Sequence, residues 1–172
     1  ALIASINLNI FNNHADRVKA ANLAQVVNVL QSVILTKGND MLLTPTYHVF
    51  DMYKVHQEAK LLPVTIATPD YTVDNQKIPA VNVSASQDST GAIHISLVNV
   101  DANKTVTIKT SLANINFKTV TGQVLTAAKF TDVNTFENKN VIVPTTFNGA
   151  KKEGNDLIIT LPKLSVVVVE LK

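Results

Sequence analysis

Carboxylate pairs are the first candidates for chemistry in this sequence, because one carboxylate can act as a nucleophile or base while another supplies a proton. Such a pair needs a buried or cleft setting. The acidic residues of the second half stand beside Asn, Gly or Lys in turn-like stretches; they are Asp101, Asp132, Glu153 and Asp156. Three in the first half lie on or beside predicted helices; they are Asp16, Asp51 and Glu58. Turns and helix surfaces are solvated, so we predict no catalytic residue within this chain.

The histidines and glycines of this sequence do not form a recognisable metal or phosphate motif. The histidines are His14, His48, His56 and His94. His48 and His56 lie too far apart on one predicted helix for a His-Glu-x-x-His zinc motif, and His94 alternates outward on a predicted strand, which predicts a surface position. The five glycines form neither a phosphate-binding loop nor a Gly-x-Ser-x-Gly turn. The sequence therefore predicts no metal and no cofactor.

The composition is typical of a well-buried globular protein without a nucleic-acid surface. Hydrophobic residues make up 46% of the chain and charged residues only 16%, which argues against disorder. Lys and Arg number 15 against 13 Asp and Glu, Arg17 is the single arginine, and the formal net charge is +2. This charge is too small and too scattered for a nucleic-acid partner.

The absence of cysteine does not define the cellular compartment, because a chain without cysteine can be secreted or intracellular. A periplasmic or secreted location is slightly favoured over a cytoplasmic one. The apolar opening stretch is about 11 residues long, too short to span a bilayer, and no signal peptide is visible in the sequence. We therefore expect no membrane partner.

Helices are predicted in the first third of the chain. Residues 1–13 carry Ile3, Ile6 and Ile10 at helical spacing, which predicts a helix with a buried apolar face. Thr44 and Pro45 form an N-cap and first-turn signal for a second helix over residues 45–58. Residues 18–30 are ambiguous, because their spacing fits a helix while their β-branched valines favour a strand.

Beyond residue 62 the pattern alternates as in β-strands. The stretches 91–100 and 105–112 flank the polar turn 101–104, which predicts a β-hairpin. The last strand, LSVVVVEL, is apolar on both faces and should lie centrally in a sheet. Short strands with turn signals predict two packed antiparallel sheets over residues 62–172. The residues expected to be largely buried are Ile93, Ile95, Leu97, Val106, Ile108, Leu157, Ile159, Val166 and Val168.

A sugar-binding module is the alternative that a β-sandwich suggests. Such modules stack exposed aromatic rings on sugar faces, and this chain has no tryptophan. The rings beyond residue 62 are Tyr71, Phe117, Phe130, Phe136 and Phe147. Most of these should pack in the core or at sheet edges.

Several longer stretches resemble glycoside hydrolase family fifty-one, the α-L-arabinofuranosidases. The carrying segments are LNIFNNHADRVKAANLAQVVNVLQSVILT, LLTPTYHVFDMYKVHQEAKLLPV, IHISLVNVDANKTVTI and LPKLSVVVVEL. Together they extend the resemblance over nearly the whole chain. It implies a mainly β fold, with an antiparallel, jelly-roll-like β-sandwich at 62–172 preceded by the helical remnant of a (β/α)8 barrel at 1–61.

The resemblance also implies a site residue and a mechanism. Residues 19–25 would be the eighth barrel strand, which places Gln25 at the sugar pocket as a substrate-binding residue. Enzymes of this family are retaining hydrolases with two catalytic glutamates, and both lie upstream of the segment that this chain matches. In the isolated chain the orphaned strand should turn helical to satisfy its backbone, or pair with another copy.

The sequence therefore predicts the non-catalytic C-terminal portion of an enzyme that removes terminal arabinofuranosyl residues from arabinose-containing polysaccharides. Its expected partners are the rest of the catalytic barrel and, through the parent enzyme, an arabinose-containing glycan. The sequence is also compatible with a homo-oligomer. The alternative is an independent carbohydrate-binding or adhesion module.

Overall fold

Strands dominate the computed structural model, which describes residues 1–112 and 115–172. The helices are α1 (Leu2–Asn13) and α2 (Pro45–Tyr53), and a 3₁₀ turn (Lys54–His56) follows α2. The strands of the first half are β1 (Ile34–Lys37), β2 (Asp40–Leu43), β3 (Lys60–Leu62), β4 (Asp70–Val73), β5 (Gln76–Pro79) and β6 (Val81–Gln87). Those of the second half are β7 (Ile93–Asn99), β8 (Val106–Ser111), β9 (Val120–Thr126), β10 (Thr145–Thr146), β11 (Ala150–Glu153), β12 (Asp156–Leu161) and β13 (Ser165–Leu171).

Two antiparallel sheets pack against each other, as the sequence predicts. The larger sheet has the strand order β10-β9-β13-β7-β6-β3, and the smaller has the order β11-β12-β8. Leu97, Leu157 and Val167 lie in the core between them. Of the nine residues expected to be buried, eight are, and Ile108 is half-buried. The mainly β sandwich is thereby confirmed.

The last strand, β13, is the middle of the larger sheet. It pairs with β7 on one side and with β9 on the other. Val167 and Val169 enter the core between the sheets, whereas Val166 and Val168 contact the layer that contains the helices. The expectation of a central strand covered on both faces is confirmed.

The predicted hairpin between residues 91–100 and 105–112 is wrong. β7 pairs with β6 and β13, while β8 joins the smaller sheet beside β12. The polar turn carries the chain from one sheet to the other because both edges of β7 are occupied. Within it, the Asp101 Oδ1 atom accepts hydrogen bonds from the backbone of Asn103 at 2.8 Å and of Lys104 at 2.9 Å.

Both helices are present, although α2 ends at Tyr53 rather than near residue 58. Of the three isoleucines predicted on the inward face of α1, only Ile6 packs against the layer beneath the helix. Ile3 is 76% exposed and Ile10 is exposed too, while Ser5 and Asn9 are fully buried. The sheet surface beneath the helix carries Ser96, which makes the polar side of α1 its better match. No helix in the described ranges is long and apolar enough to cross a membrane.

Residues 18–30 form neither of the regular structures expected of them. No helix is present there, so the helix that we expected in the isolated chain is wrong. The stretch 19–25 makes no backbone-to-backbone hydrogen bond with the residues that the structure describes, and Val27 forms a single parallel bridge with Ile34. An extended chain without neighbouring strands leaves its backbone groups exposed, and the β-branched valines oppose a helical alternative. The boundary between residues 61 and 62 stays a prediction.

Asn99 fastens the turn that joins the two sheets, and we expect its removal to be costly. The fully buried Nδ2 atom donates to the carbonyl oxygens of Lys104 at 3.0 Å and Pro162 at 2.8 Å. Asn99→Ala removes the buried amide that pairs with these carbonyls, which should lower the free energy of unfolding by about 2–3 kcal/mol. Urea unfolding of the chain measures the loss. The exposed neighbour Asn103→Ala is the matched control, and an equal loss in both variants would contradict the role of Asn99.

Candidate functional site

A layer of polar side chains lies between the helices and the larger sheet. The strands contribute Ser84, Ser86, His94 and Ser96, and the helical segments contribute Ser5, Asn9, Tyr53 and His56. Strand pairing sets Ser84 opposite Ser96 and Ser86 opposite His94. The Ser96 hydroxyl donates a 2.6 Å hydrogen bond to the Asn9 side-chain oxygen. This layer explains why α1 buries polar residues.

His94 was expected at the surface, and the structure corrects this. His94 is only 4% exposed, because the helical layer covers the outward face of β7. The Nε2 atom lies 3.0 Å from Oδ2 of Asp88, and Oδ1 of Asp88 accepts the backbone N–H of Thr90 at 2.8 Å. The hydrogen bond from His94 and those from Thr90 lower the pKa of Asp88 strongly. The pair closes the turn between β6 and β7.

His56 connects the end of α2 to the sheet. Its Nδ1 atom lies 2.7 Å from the Ser86 hydroxyl. Burial, with a smaller contribution from His94, lowers the pKa of His56 to about 4. The ring is therefore neutral near pH 7 and serves as a half-buried hydrogen-bonding contact.

The remaining candidate residues stay apart from one another. His14 is exposed at the end of α1, and His48 lies on α2 with its ring edge-on to Tyr47. Asp51 and Asp156 form ion pairs with Lys54 and Lys109. Within residues 1–112 and 115–172, no group of three His, Cys, Asp or Glu side chains is placed to hold a metal ion.

Gln25 lies on the exposed stretch that precedes β1. Its side chain has no hydrogen-bond partner among the described residues, and its backbone is left-handed, with φ of 57°. A non-glycine residue adopts this conformation only at a cost of about 1 kcal/mol or more, so its surroundings must enforce it. None of the histidines of the polar layer contacts Gln25. Its assignment as a sugar ligand stays a prediction.

Aromatic rings offer little surface for stacking on sugars. Phe117 and Phe147 are buried in the core between the sheets, and Tyr71 packs beside the helical layer. Among the described rings beyond residue 62, Phe130 is the one that is largely exposed. An independent sugar-binding surface would depend on that ring.

The protein-family model for the α-L-arabinofuranosidase C-terminal domain matches residues 1–165. The chain belongs to this family. The predicted resemblance to glycoside hydrolase family 51 is thereby confirmed across the whole chain. The family model covers the helices and the sandwich together, so the polar layer lies inside the domain that the family shares.

The chain matches only part of larger enzymes. It is 46% identical over 173 residues to the intracellular exo-α-L-arabinofuranosidase of Bacteroides ovatus, covering 100% of this chain and 34% of that protein. The crystal structure of the family 51 arabinofuranosidase from Xanthomonas axonopodis pv. citri is 42% identical, with a TM-score of 0.96 over 99% of this chain and 35% of that one. The family 51 enzyme from Thermotoga petrophila shares the fold with a TM-score of 0.86 at 23% identity. That match covers 99% of this chain and 37% of the other. The chain therefore spans about a third of these relatives.

The half-buried His56 should make stability depend on pH in a defined window. The ordinary pKa of histidine is 6.5, and that of folded His56 is about 4. Between these values the unfolded state binds more protons, so the free energy of unfolding should fall as pH drops from about 6.5 to about 4, by roughly 3 kcal/mol at most. His56→Gln should flatten this slope in urea unfolding at a series of pH values. Exposed His14→Gln is the control; an unchanged slope in His56→Gln would show that His56 is not the cause.

Proposed function

We propose that this chain is the C-terminal part of an active retaining α-L-arabinofuranosidase that releases terminal arabinofuranosyl residues from arabinose-containing polysaccharides. The observation that carries the proposal is the 46% identity over the whole chain to an exo-α-L-arabinofuranosidase of which it covers only 34%. The remaining length of such an enzyme is available for a catalytic barrel. In this division, residues 1–61 complete the barrel and residues 62–172 form the sandwich.

Exposed apolar side chains support an extensive contact with such a barrel. On α1 they are Ile3, Ile10 and Phe11, and on the stretch before β1 they are Val26, Val27 and Leu30. Exposed apolar side chains mark a contact surface where they form a continuous patch. All six lie within the residues that the proposal assigns to the barrel. We therefore assign this surface to the catalytic domain.

The chemistry of the reaction is consistent with a division of roles between this chain and the upstream barrel. A retaining mechanism needs two carboxyl groups about 5–5.5 Å apart, one as nucleophile and one as acid and base. The carboxylates nearest to the polar layer, Asp88 and Glu170, lie 3.0 Å and 3.9 Å from ring nitrogens of His94, which engages both of them. The proposal therefore gives both catalytic carboxylates to the upstream barrel. This chain contributes Gln25, whose amide can hydrogen-bond a sugar hydroxyl.

Replacing Gln25 in the complete enzyme tests the contact with substrate. Gln25→Ala should lower kcat/KM on an aryl α-L-arabinofuranoside by about tenfold, because one transition-state hydrogen bond is worth ~1.5 kcal/mol. Gln31→Ala is the matched control, since Gln31 is an exposed amide on the same stretch. Unchanged kinetics in Gln25→Ala would remove this residue from the site.

The isolated chain should hydrolyse no arabinofuranoside, whereas the complete enzyme should. Acid, nucleophile and substrate must be held in a fixed geometry, and one barrel strand cannot supply it. The assay follows release of the phenol from an aryl α-L-arabinofuranoside by each protein. Turnover by the isolated chain that survives repurification would mean that catalytic groups lie within it. An inactive complete enzyme would overturn the proposed function.

A further inference from the structure

The backbone next to Gln25 is held by the hairpin that β1 and β2 form. The Val26 carbonyl oxygen accepts hydrogen bonds from the backbone N–H groups of Val33 and Ile34, both at 3.1 Å. The Asn28 N–H donates to the Ile34 carbonyl at 3.1 Å. Ile34 therefore fixes the chain on both sides of Val27, starting one residue after Gln25.

The Asn28 side chain strengthens this attachment. Its Nδ2 atom donates to the Thr36 hydroxyl at 2.7 Å, and its Oδ1 atom accepts the Thr36 N–H at 2.8 Å. Asn28 has a left-handed backbone, with φ of 54°, as Gln25 has with φ of 57°. Two such residues three positions apart define a bend that the free chain would not retain. The hairpin supplies the contacts that maintain it.

The sandwich in turn holds the hairpin through Asn134, in the long connection between β9 and β10. Asn134 is buried, and its Nδ2 atom donates to the carbonyl oxygens of Leu43 at 2.9 Å and Ile142 at 3.0 Å. Its Oδ1 atom accepts the Ile142 N–H at 2.8 Å. Leu43 is the strand partner of Ile34. An exposed ion pair between Lys139 and Asp40 joins the same connection to the other end of the hairpin.

We propose that Asn134 is a positioning residue for the sugar site, acting on Gln25 through Leu43, Ile34 and the bend at 25–28. The sandwich then sets the geometry of a substrate contact that lies on the barrel, in addition to covering the barrel. This inference rests on the proposed function, because it needs an arabinofuranosyl substrate at Gln25. It assigns to the C-terminal domain a measurable share of kcat/KM.

A double-mutant cycle in the complete enzyme tests the connection. Asn134→Ala should lower kcat/KM on an aryl α-L-arabinofuranoside by about three- to tenfold, and by less than about 1.5-fold when Gln25→Ala is already present. All assays run well below the melting temperature of every variant. Asn140→Ala, an exposed asparagine in the same connection, is the matched control and should leave kcat/KM unchanged.

If Asn134→Ala does not fold, Asn28→Gly takes its place in the cycle, because glycine retains the left-handed backbone and removes only the clamping side chain. Equal effects with and without Gln25→Ala, or no effect of Asn134→Ala on kcat/KM, would overturn the positioning role while leaving an active enzyme. An inactive wild-type enzyme would overturn the proposed function itself, and this inference with it.

Discussion

The larger sheet must be covered on both faces, and the rest of the structure follows from this requirement. β7 and β13 are buried along nearly their whole length, and β13 directs valines to both sides. The smaller sheet covers one face, and α1 and α2 cover the other. A helix that seals a buried strand cannot leave without exposing it to water, at roughly 25 cal/mol for each Å² of apolar surface. The helices assigned to the barrel are thus bound firmly to the sandwich.

The contact between helices and sheet is unusual in being partly polar. Ser96 and Asn9 form a buried hydrogen bond, and Asn13 donates to the Val83 carbonyl at 2.9 Å. His56 connects the end of α2 to Ser86. Directional contacts of this kind define one register of the helices on the sheet more sharply than apolar packing alone. A barrel that ends in these helices would inherit that fixed orientation.

A second connection from the sandwich to the residues assigned to the barrel runs through the hairpin. The helical layer orients whole elements, whereas Asn134 reaches the backbone beside Gln25 through Leu43 and Ile34. Both routes start in the sandwich and end in residues 1–61. Together they give a physical reason why the family model extends across helices and strands as one unit. The proposed substrate site would then depend on parts of the chain that are distant in sequence.

The sequence by itself determined the local elements and the family. Period-two alternation located β6, β7, β8 and β12, and Pro45 marked the start of α2. An apolar run on both faces located β13 and predicted its central place. Only the tertiary structure decided the partner of β8, the inward face of α1 and the burial of His94. Alternation reports which side chains share a face, but not what lies across from that face. His94 points away from the main core, and a helical layer from another part of the chain buries it there. The bend at Gln25 likewise left no signal in the sequence, because its cause is a hairpin held by Asn134.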